Sequence, residues 1–130
     1  MPRESSVVLD ASAMLALLNQ ETGAAKVLGV LDRSVISSVN LAEVYTRLID
    51  GGMASMAAVE AVAALGVETC TFDADQALHC GALRPMTKSA GLSLGDRACL
   101  ACALSLGAPV MTCDRAWLDL QLSLDIDCAR

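Results

Sequence analysis

Two short apolar runs, one near each end of the chain, constrain the fold more than any other feature. The run VVL at 7–9 leads directly into Asp10, and the run VMT at 110–112 lies just before Asp114. Runs of this length that are rich in β-branched residues are typical of strands buried on both faces. Open α/β sheets bind their ligands beyond the carboxyl ends of such strands, so both aspartates are candidates for one site.

Helical patterns separate the two runs, and additional strands are predicted at 35–36, at 67–72 and near Ile126. Helices are predicted at 12–18, 24–31, 38–50, 53–65, 74–83 and 93–106, with a loop at 86–91 and an amphipathic stretch at 115–122. Pro85 is expected to end the fifth of these helices. Strands that alternate with helices indicate an α/β fold: one domain over 1–130, with a central, mainly parallel sheet covered on both faces.

Composition narrows the class of protein further. Of 130 residues, 55% are hydrophobic and one each is Phe, Tyr and Trp, which favours helices packed on a sheet over a β-sandwich. The net charge of −6 argues against a nucleic-acid partner, because phosphate binding usually requires a basic surface. Divalent cations bound by clustered acids would neutralise part of that charge, so the net charge alone does not decide the partner.

The six cysteines do not indicate a disulfide framework. Cys99, Cys102 and Cys113 lie in apolar stretches, where cysteine acts as a small hydrophobic residue. No secretion signal is recognisable, because charged residues interrupt the N-terminal segment, and the longest uncharged run, 98–113, is too short to cross a membrane. We therefore expect a reduced, cytoplasmic protein without a membrane segment.

Glu43 and Asp96 add two more acids at junctions between predicted elements. Glu43 lies in the first turns of the helix that leaves the second strand, and Asp96 lies in the first turn of the helix that enters the strand before Asp114. Two carboxylates about 4 Å apart repel by roughly 4 kcal/mol at an effective dielectric constant of about 20. A cluster of four must therefore hold a proton, a salt bridge or a metal ion. Oxygen ligands favour Mg²⁺ or Mn²⁺, which activate water and stabilise the departing oxygen of a phosphodiester.

Helix capping is the alternative explanation for three of these acids. Asn40-x-x-Glu43 and Ser93-x-x-Asp96 both resemble capping boxes. Acids in the first turn of a helix are also favoured by the helix dipole. Asp114 would likewise suit the N-cap of the stretch that follows it.

Asp10 is the hardest of the four acids to explain by structure, because an unpaired carboxylate that closes a buried strand has no comparable structural role. The pattern of all four acids, and not any single one, carries the metal-site hypothesis. Other reactive side chains are predicted to be structural. His79 lies in the middle of a helix, away from the acids, and is expected to be partly exposed. Cys99 and Cys102 form a CxxC pair within one helix, and the absence of a second such pair favours core packing over a metal or redox site.

Four stretches of the sequence, in their order and spacing, resemble a PIN domain, and specifically a VapC-type toxin of bacterial toxin–antitoxin systems. They are VLDASA at 8–13, SSVNLAEV at 37–44, LGDR at 94–97 and VMTCDRAW at 110–117. The resemblance implies a three-layer α/β/α sandwich with a central, mainly parallel sheet. It also implies an Mg²⁺- or Mn²⁺-dependent endoribonuclease that hydrolyses RNA phosphodiester bonds.

The same resemblance implies roles for individual residues. The acidic quartet, which acts in catalysis and metal binding, corresponds to Asp10, Glu43, Asp96 and Asp114. Asp10 and Asp96 are the expected direct metal ligands. Ser12 and Thr112 match small hydroxyl residues beside the metal site, and Asn40 matches a polar residue near the quartet.

Basic residues close to the quartet are candidates for holding RNA. Arg97 and Arg115 directly follow two of the acids, and Lys88 lies on the loop shortly before Asp96. Each could bind a phosphate or form a local salt bridge. Arg115 also stands where some relatives carry a further acid, which leaves a second metal position less well supported than the first. The resemblance further implies a homodimer held inactive by a cognate VapB-type antitoxin.

Two other classes of function remain open from the sequence. A PIN-like protein-interaction module with weak catalysis would keep the fold and the partner surface, although the intact quartet counts against it. An aspartyl-phosphate phosphotransfer domain would use Asp10 as its nucleophile. That class ranks lowest, because haloacid-dehalogenase-type enzymes require an aspartate where this chain has Ser12, and receiver domains require an acidic pair that is absent before the first strand.

Overall fold

The computed structural model describes residues 6–130, and a parallel sheet of five strands lies at its centre. The strands are β1 (Val7–Leu9), β2 (Ser34–Ser37), β3 (Glu68–Cys70), β4 (Val110–Thr112) and β5 (Ile126–Cys128). Their order across the sheet is β3-β2-β1-β4-β5, and every neighbouring pair runs parallel. The two apolar runs at 7–9 and 110–112 are therefore adjacent central strands, in agreement with their full burial.

Helices cover both faces of this sheet. They are α1 (Ala11–Leu18), α2 (Ala24–Val30), α3 (Ser38–Asp50), α4 (Ser55–Ala63), α5 (Ala74–Ala82), α6 (Arg84–Thr87) and α7 (Leu94–Leu106), with short 3₁₀ helices at Leu31–Arg33 and Arg115–Asp119. No helix among residues 6–130 is both long enough and apolar enough to span a membrane.

The hydrophobic core has two layers, one on each side of the sheet. Leu9 of β1 packs with α1, α3 and α4 in one cluster, whereas Val8 packs with α5 and α7 in the other. Successive side chains of a strand point to opposite faces, which explains why an uninterrupted apolar run was needed here. Cys99 and Cys102 are buried in the second layer, as predicted. The three-layer α/β/α fold predicted from the sequence is confirmed.

The segment around Pro85 differs from the prediction. We expected the proline to end a helix and residues 86–91 to form a loop, but α5 ends at Ala82 and Pro85 lies in the first turn of α6. Proline is tolerated there because its missing N–H would have no partner within the helix. The stretch predicted as amphipathic at 115–122 forms a 3₁₀ helix over its first five residues, Arg115–Asp119.

The strand register brings the predicted acids toward one edge of the sheet. Leu9 of β1 pairs with Met111 of β4 and with Ile36 of β2, so these three strands end at nearly the same level. Asp10 follows β1 directly, and Asp114 follows β4 after one intervening residue. The first turns of α3 and α7 lie beside the same edge, as the hydrogen bond from Asn40 to the Gly95 carbonyl shows.

Candidate active site

Asp10 is the most deeply buried acid of the site, with 5% of its surface exposed. Its Oδ1 accepts hydrogen bonds from Ser12 Oγ at 2.7 Å and from the Ala13 backbone N–H at 2.8 Å. Its Oδ2 accepts one from Thr112 Oγ1 at 2.6 Å. The bond to Ala13 makes Asp10 the N-cap of α1. The expectation that Asp10 has no structural role was therefore wrong.

Burial raises the pKa of Asp10 to about 6, since a desolvated carboxylate is costly to ionise. The hydrogen bonds from Thr112, Ser12 and Ala13 act in the opposite direction, and the negative charge of Asp96 raises the pKa slightly more. A positive charge placed beside Asp10 would reverse this balance and favour the ionised form.

Two hydroxyl groups connect Asp10 to the end of β4. Thr112 Oγ1 accepts the Asp114 backbone N–H at 3.0 Å, and Ser12 Oγ accepts the Cys113 backbone N–H at 2.9 Å. Asp114 in turn caps the 3₁₀ helix that follows, because its Oδ1 accepts the Ala116 N–H at 3.0 Å. The N-cap alternative raised for Asp114 is thus confirmed, and its capping contact occupies one carboxylate oxygen.

Asn40 and Glu43 lie on the first turns of α3. The N-cap of this helix is Ser37, whose side chain accepts the Val39 N–H, so the Asn40–Glu43 capping box considered from the sequence is wrong. Asn40 is 1% exposed, and its Nδ2 donates to Glu43 Oε1 and to the Gly95 carbonyl, each at 2.9 Å. One buried amide therefore fixes the Glu43 carboxylate and joins α3 to α7.

Gly95 contacts the same carboxylate from the α7 side. A Cβ atom at this position would lie within 2.6 Å of Glu43 Cδ and Oε1, a distance that requires the glutamate to move. Glycine inside a helix costs about 1 kcal/mol relative to alanine, so a buried helical glycine is a signal that a neighbour approaches closely. Gly95 lies in the LGDR stretch, but its contact with Glu43 was not predicted from the sequence.

Asp96 is part of a true capping box at the start of α7. The Ser93 N–H donates to Asp96 Oδ2 at 3.0 Å, and the Asp96 N–H donates to Ser93 Oγ at 3.1 Å. The capping alternative is confirmed for this acid. Because only Oδ2 accepts the bond that the box requires, the cap and a second role for the carboxylate are compatible.

All four predicted acids line one cavity of about 880 Å³ at the carboxyl edge of the sheet. The other charged residues that line it are Glu21, Arg47 and Arg130. Ser12 also lines the cavity, whereas Asn40 and Thr112 lie behind it and hold the acids from the protein side. The sequence thus predicted the acidic wall of the cavity but missed both arginines.

The three basic residues proposed from chain position lie elsewhere. Arg97 donates to the Cys80 carbonyl at 3.0 Å, and Arg115 donates to the Arg130 carbonyl at 3.1 Å. Lys88 is exposed, and none of the three lines the cavity. His79 is exposed on α5 and does not line it either.

The donor chemistry of the cavity fits a hard divalent cation. Its potential ligands are carboxylate oxygens, with neither thiol nor imidazole among the residues that line it, and this oxygen set matches Mg²⁺ or Mn²⁺. In the described part of the chain, no three such groups are already arranged closely enough to form a ligand set. Burial makes the Asp10 carboxylate costly to ionise, and a bound cation would offset that cost.

Comparison with known proteins gives the family. The PIN domain model matches residues 7–121, which is most of the chain. The chain therefore belongs to the PIN domain family. No curated protein sequence matches it.

Solved structures with the same fold cover nearly the whole chain. VapBC2 from Rickettsia felis, bound to a DNA fragment from its promoter, has 17% sequence identity, a TM-score of 0.74 and coverage of 94% of this chain and 97% of its own. VapBC-5 from Mycobacterium tuberculosis, a member of the VapBC family of toxin–antitoxin systems, has 26% identity, a TM-score of 0.63 and coverage of 95% and 98%. FitAcB from Neisseria gonorrhoeae has 17% identity, a TM-score of 0.70 and coverage of 95% and 97%.

Proposed function

We propose that this chain is a metal-dependent endoribonuclease that hydrolyses RNA phosphodiester bonds, and that it is the VapC-type toxin of a type II toxin–antitoxin pair. The observation that carries the proposal is the convergence of four carboxylates, from four separate segments of a PIN domain, on one cavity. Helix capping does not require Glu43 to be an acid, since the N-cap of its helix is Ser37.

Mg²⁺ or Mn²⁺ is the proposed cofactor, with Asp10 and Asp96 as direct ligands and Glu43 and Asp114 completing the acidic set. When bound, such an ion would activate water and stabilise the departing oxygen of the phosphodiester. The protein contributes the orientation of these acids. Ser12 and Thr112 hold both oxygens of Asp10, so its position is fixed before any ligand arrives.

Asn40 has the corresponding role for Glu43. Its amide holds Oε1, while Gly95 leaves room for the rest of the carboxylate beside α7. The Glu43 side chain is half-buried, so it remains open to the cavity that it lines. We expect Asn40 to act as a positioning residue that restricts Glu43 to one orientation, and not as a group that contacts RNA.

The proposed partners follow from the structural relatives. VapBC2 and VapBC-5 belong to VapBC systems, and a further similar structure is a toxin–antitoxin complex from Klebsiella pneumoniae. This likeness supports a VapB-type antitoxin as the cognate partner of this chain. With it we propose a homodimer of single PIN domains that acts in the cytoplasm on RNA.

A catalytically weak interaction module remains the second candidate function, because Asp10, Asp96 and Asp114 all cap helices and thus have structural reasons to be acidic. The aspartyl-phosphate alternative is not supported. Both oxygens of Asp10 already accept hydrogen bonds, and its 5% exposure leaves little access for a phosphoryl donor.

The test is cleavage of a mixed RNA pool by the purified wild type and by Asp10→Asn, each with Mg²⁺, with Mn²⁺ or with excess chelator. We expect the wild type to cleave RNA with Mg²⁺ or Mn²⁺ but not with excess chelator. The variant should not cleave RNA under any of the three conditions. Equal cleavage by both proteins would contradict the assignment of Asp10. A folded wild type that cuts no RNA and binds neither metal would instead favour the interaction module.

A further inference from the structure

The charge of the cavity presents a problem for any RNA substrate. Five acids line it, Glu21 in addition to the quartet, against two arginines. Metal ions would offset the charge of the quartet only locally, beside the bond that is cut. The phosphates on either side would still face an acidic wall, and phosphate binding generally depends on arginine or lysine. The flanking phosphates would therefore have to be bound by cationic side chains that line the cavity.

Arg130 is already engaged by its surroundings. Its guanidinium Nη2 lies 3.9 Å from Glu21 Oε1, and its carbonyl accepts a hydrogen bond from Arg115. The Arg130–Glu21 pair is half-exposed and contributes little to stability. It nevertheless lowers the net positive charge that Arg130 offers to an incoming phosphate.

Arg47 differs from Arg130 because its guanidinium group forms no hydrogen bond or ion pair with residues 6–130. The residue lies on α3 one turn after Glu43, so the two side chains share a helix face and lie about 6 Å apart along the axis. A Glu–Arg pair at this spacing often forms a salt bridge. Here the glutamate is held by Asn40 instead, and the exposed arginine lines the cavity without a side-chain partner among residues 6–130.

We propose that Arg47 binds a backbone phosphate of the RNA next to the one that is cleaved, and so fixes the path of the strand across the acidic cavity. The inference rests on the proposed ribonuclease function. A guanidinium group suits the task because its planar donors can hold two phosphate oxygens at once. In this role Arg47 holds a phosphate beside the one that is cleaved, so its contribution is to substrate binding and alignment.

RNA binding is measured first, in the Asp10→Asn background so that the strand is not cut. The probe is a short fluorescent single-stranded RNA of mixed sequence, titrated at several salt concentrations with Mg²⁺ present. We expect Arg47→Gln to weaken binding roughly ten- to hundredfold, the range for a lost charge-assisted hydrogen-bond pair. The slope of log affinity against log salt should fall in magnitude by about 0.7, the value for one phosphate contact on a single strand.

Two further variants distinguish a specific contact from general charge. Arg84→Gln removes the same charge from an exposed position on α6 outside the cavity, and its affinity and salt slope should match those of the parent. Arg47→Lys keeps the charge and should restore the salt slope, but only part of the affinity, because an ammonium group cannot form the two parallel bonds.

Cleavage by proteins that keep Asp10 gives an independent readout. Arg47→Gln should raise KM by a similar factor with a smaller change in kcat, since the contact exists before and during the reaction. Unchanged KM and binding in Arg47→Gln, with an active wild type, would overturn the role of Arg47 and leave the proposed nuclease intact. A wild type that neither binds nor cuts RNA would overturn the nuclease, and the inference with it.

Discussion

Thr112 Oγ1 donates a 2.6 Å hydrogen bond to Asp10 Oδ2, which joins residues 102 positions apart in the sequence. The bond lies where the two central strands, β1 and β4, end together. It connects the most buried acid of the candidate site to the sheet itself. Changes at either residue are therefore expected to alter the ionisation of Asp10 as well as local packing.

Thr112→Val should shift the pH dependence of cleavage. The hydroxyl lowers the pKa of Asp10, so its removal raises that pKa further above its present value of about 6. We expect the acidic limb of the cleavage profile to move to higher pH, with a larger loss near pH 6 than near pH 8. Thr112→Ser keeps the hydroxyl and should leave the limb in place. A limb that does not move in Thr112→Val would contradict this role.

Asp10→Asn should abolish cleavage yet stabilise the fold at neutral pH without metal. Folding raises the pKa of Asp10 from 3.8 to about 6. The contribution of Asp10 to the free energy of unfolding is therefore fully present below about pH 4 and is lost as the pH rises through 6. Asparagine avoids this cost and still accepts the Ala13 N–H of the cap.

Chemical unfolding with chelator present, followed from about pH 4 to pH 8, measures this effect. The free energy of unfolding of Asp10→Asn should exceed that of the wild type by an amount that grows between the two pKa values and then levels off at about 1–3 kcal/mol. A variant that is less stable than the wild type at neutral pH would show that the ionised carboxylate is favourable where it lies.

Substitutions at Asp96 should separate effects on the stability of the fold from effects on RNA cleavage. Asp96→Ala removes the capping box and should lower the free energy of unfolding by about 1 kcal/mol, together with loss of cleavage. Asp96→Asn can still cap, so it should recover stability but not cleavage.

Glu43→Gln should reduce cleavage roughly a hundredfold or more with unchanged thermal stability, since Glu43 caps no helix. Full cleavage activity in Glu43→Gln would contradict the assignment of Glu43 to the active site.

Gly95→Ala should impair cleavage by displacing Glu43. The new methyl group would occupy the space of the glutamate carboxylate, which can swing away because it is the end of a flexible side chain. We expect a large fall in kcat with little change in melting temperature. Gly81→Ala in α5 is the matched control, because a Cβ there meets no atom within 4 Å. It should keep full activity and gain up to about 1 kcal/mol in stability.

Several parts of this structure were accessible from the sequence because they depend on local pattern. The strands at 7–9 and 110–112 are buried on both faces, and such strands are apolar except where a polar side chain finds a hydrogen-bond partner, as Thr112 does with Asp10. Asp10 and Asp114 could then be placed at one edge from the geometry of a parallel sheet alone. The capping box at Ser93 and Asp96 was equally visible, because both partners lie within one helical turn.

The basic residues of the cavity could not be found in the same way. Arg97 and Arg115 were chosen because each follows an acid directly, but adjacent residues on a helix point in different directions. Arg47, four positions after Glu43, shares its face and lines the cavity. The contact of Gly95 with Glu43 depends on how α3 packs against α7, and sequence pattern does not specify that approach.

Three of the four acids also cap helices, and this has a consequence for how such proteins change during evolution. In a lineage that no longer needed the nuclease, selection for a stable fold alone would keep a capping side chain, aspartate or asparagine, at positions 10, 96 and 114. Glu43 has no such protection, because its hydrogen bond goes to the Asn40 side chain and not to a helix end. Among descendants of this chain, the residue at position 43 would therefore be the earliest record of whether the enzyme was still in use.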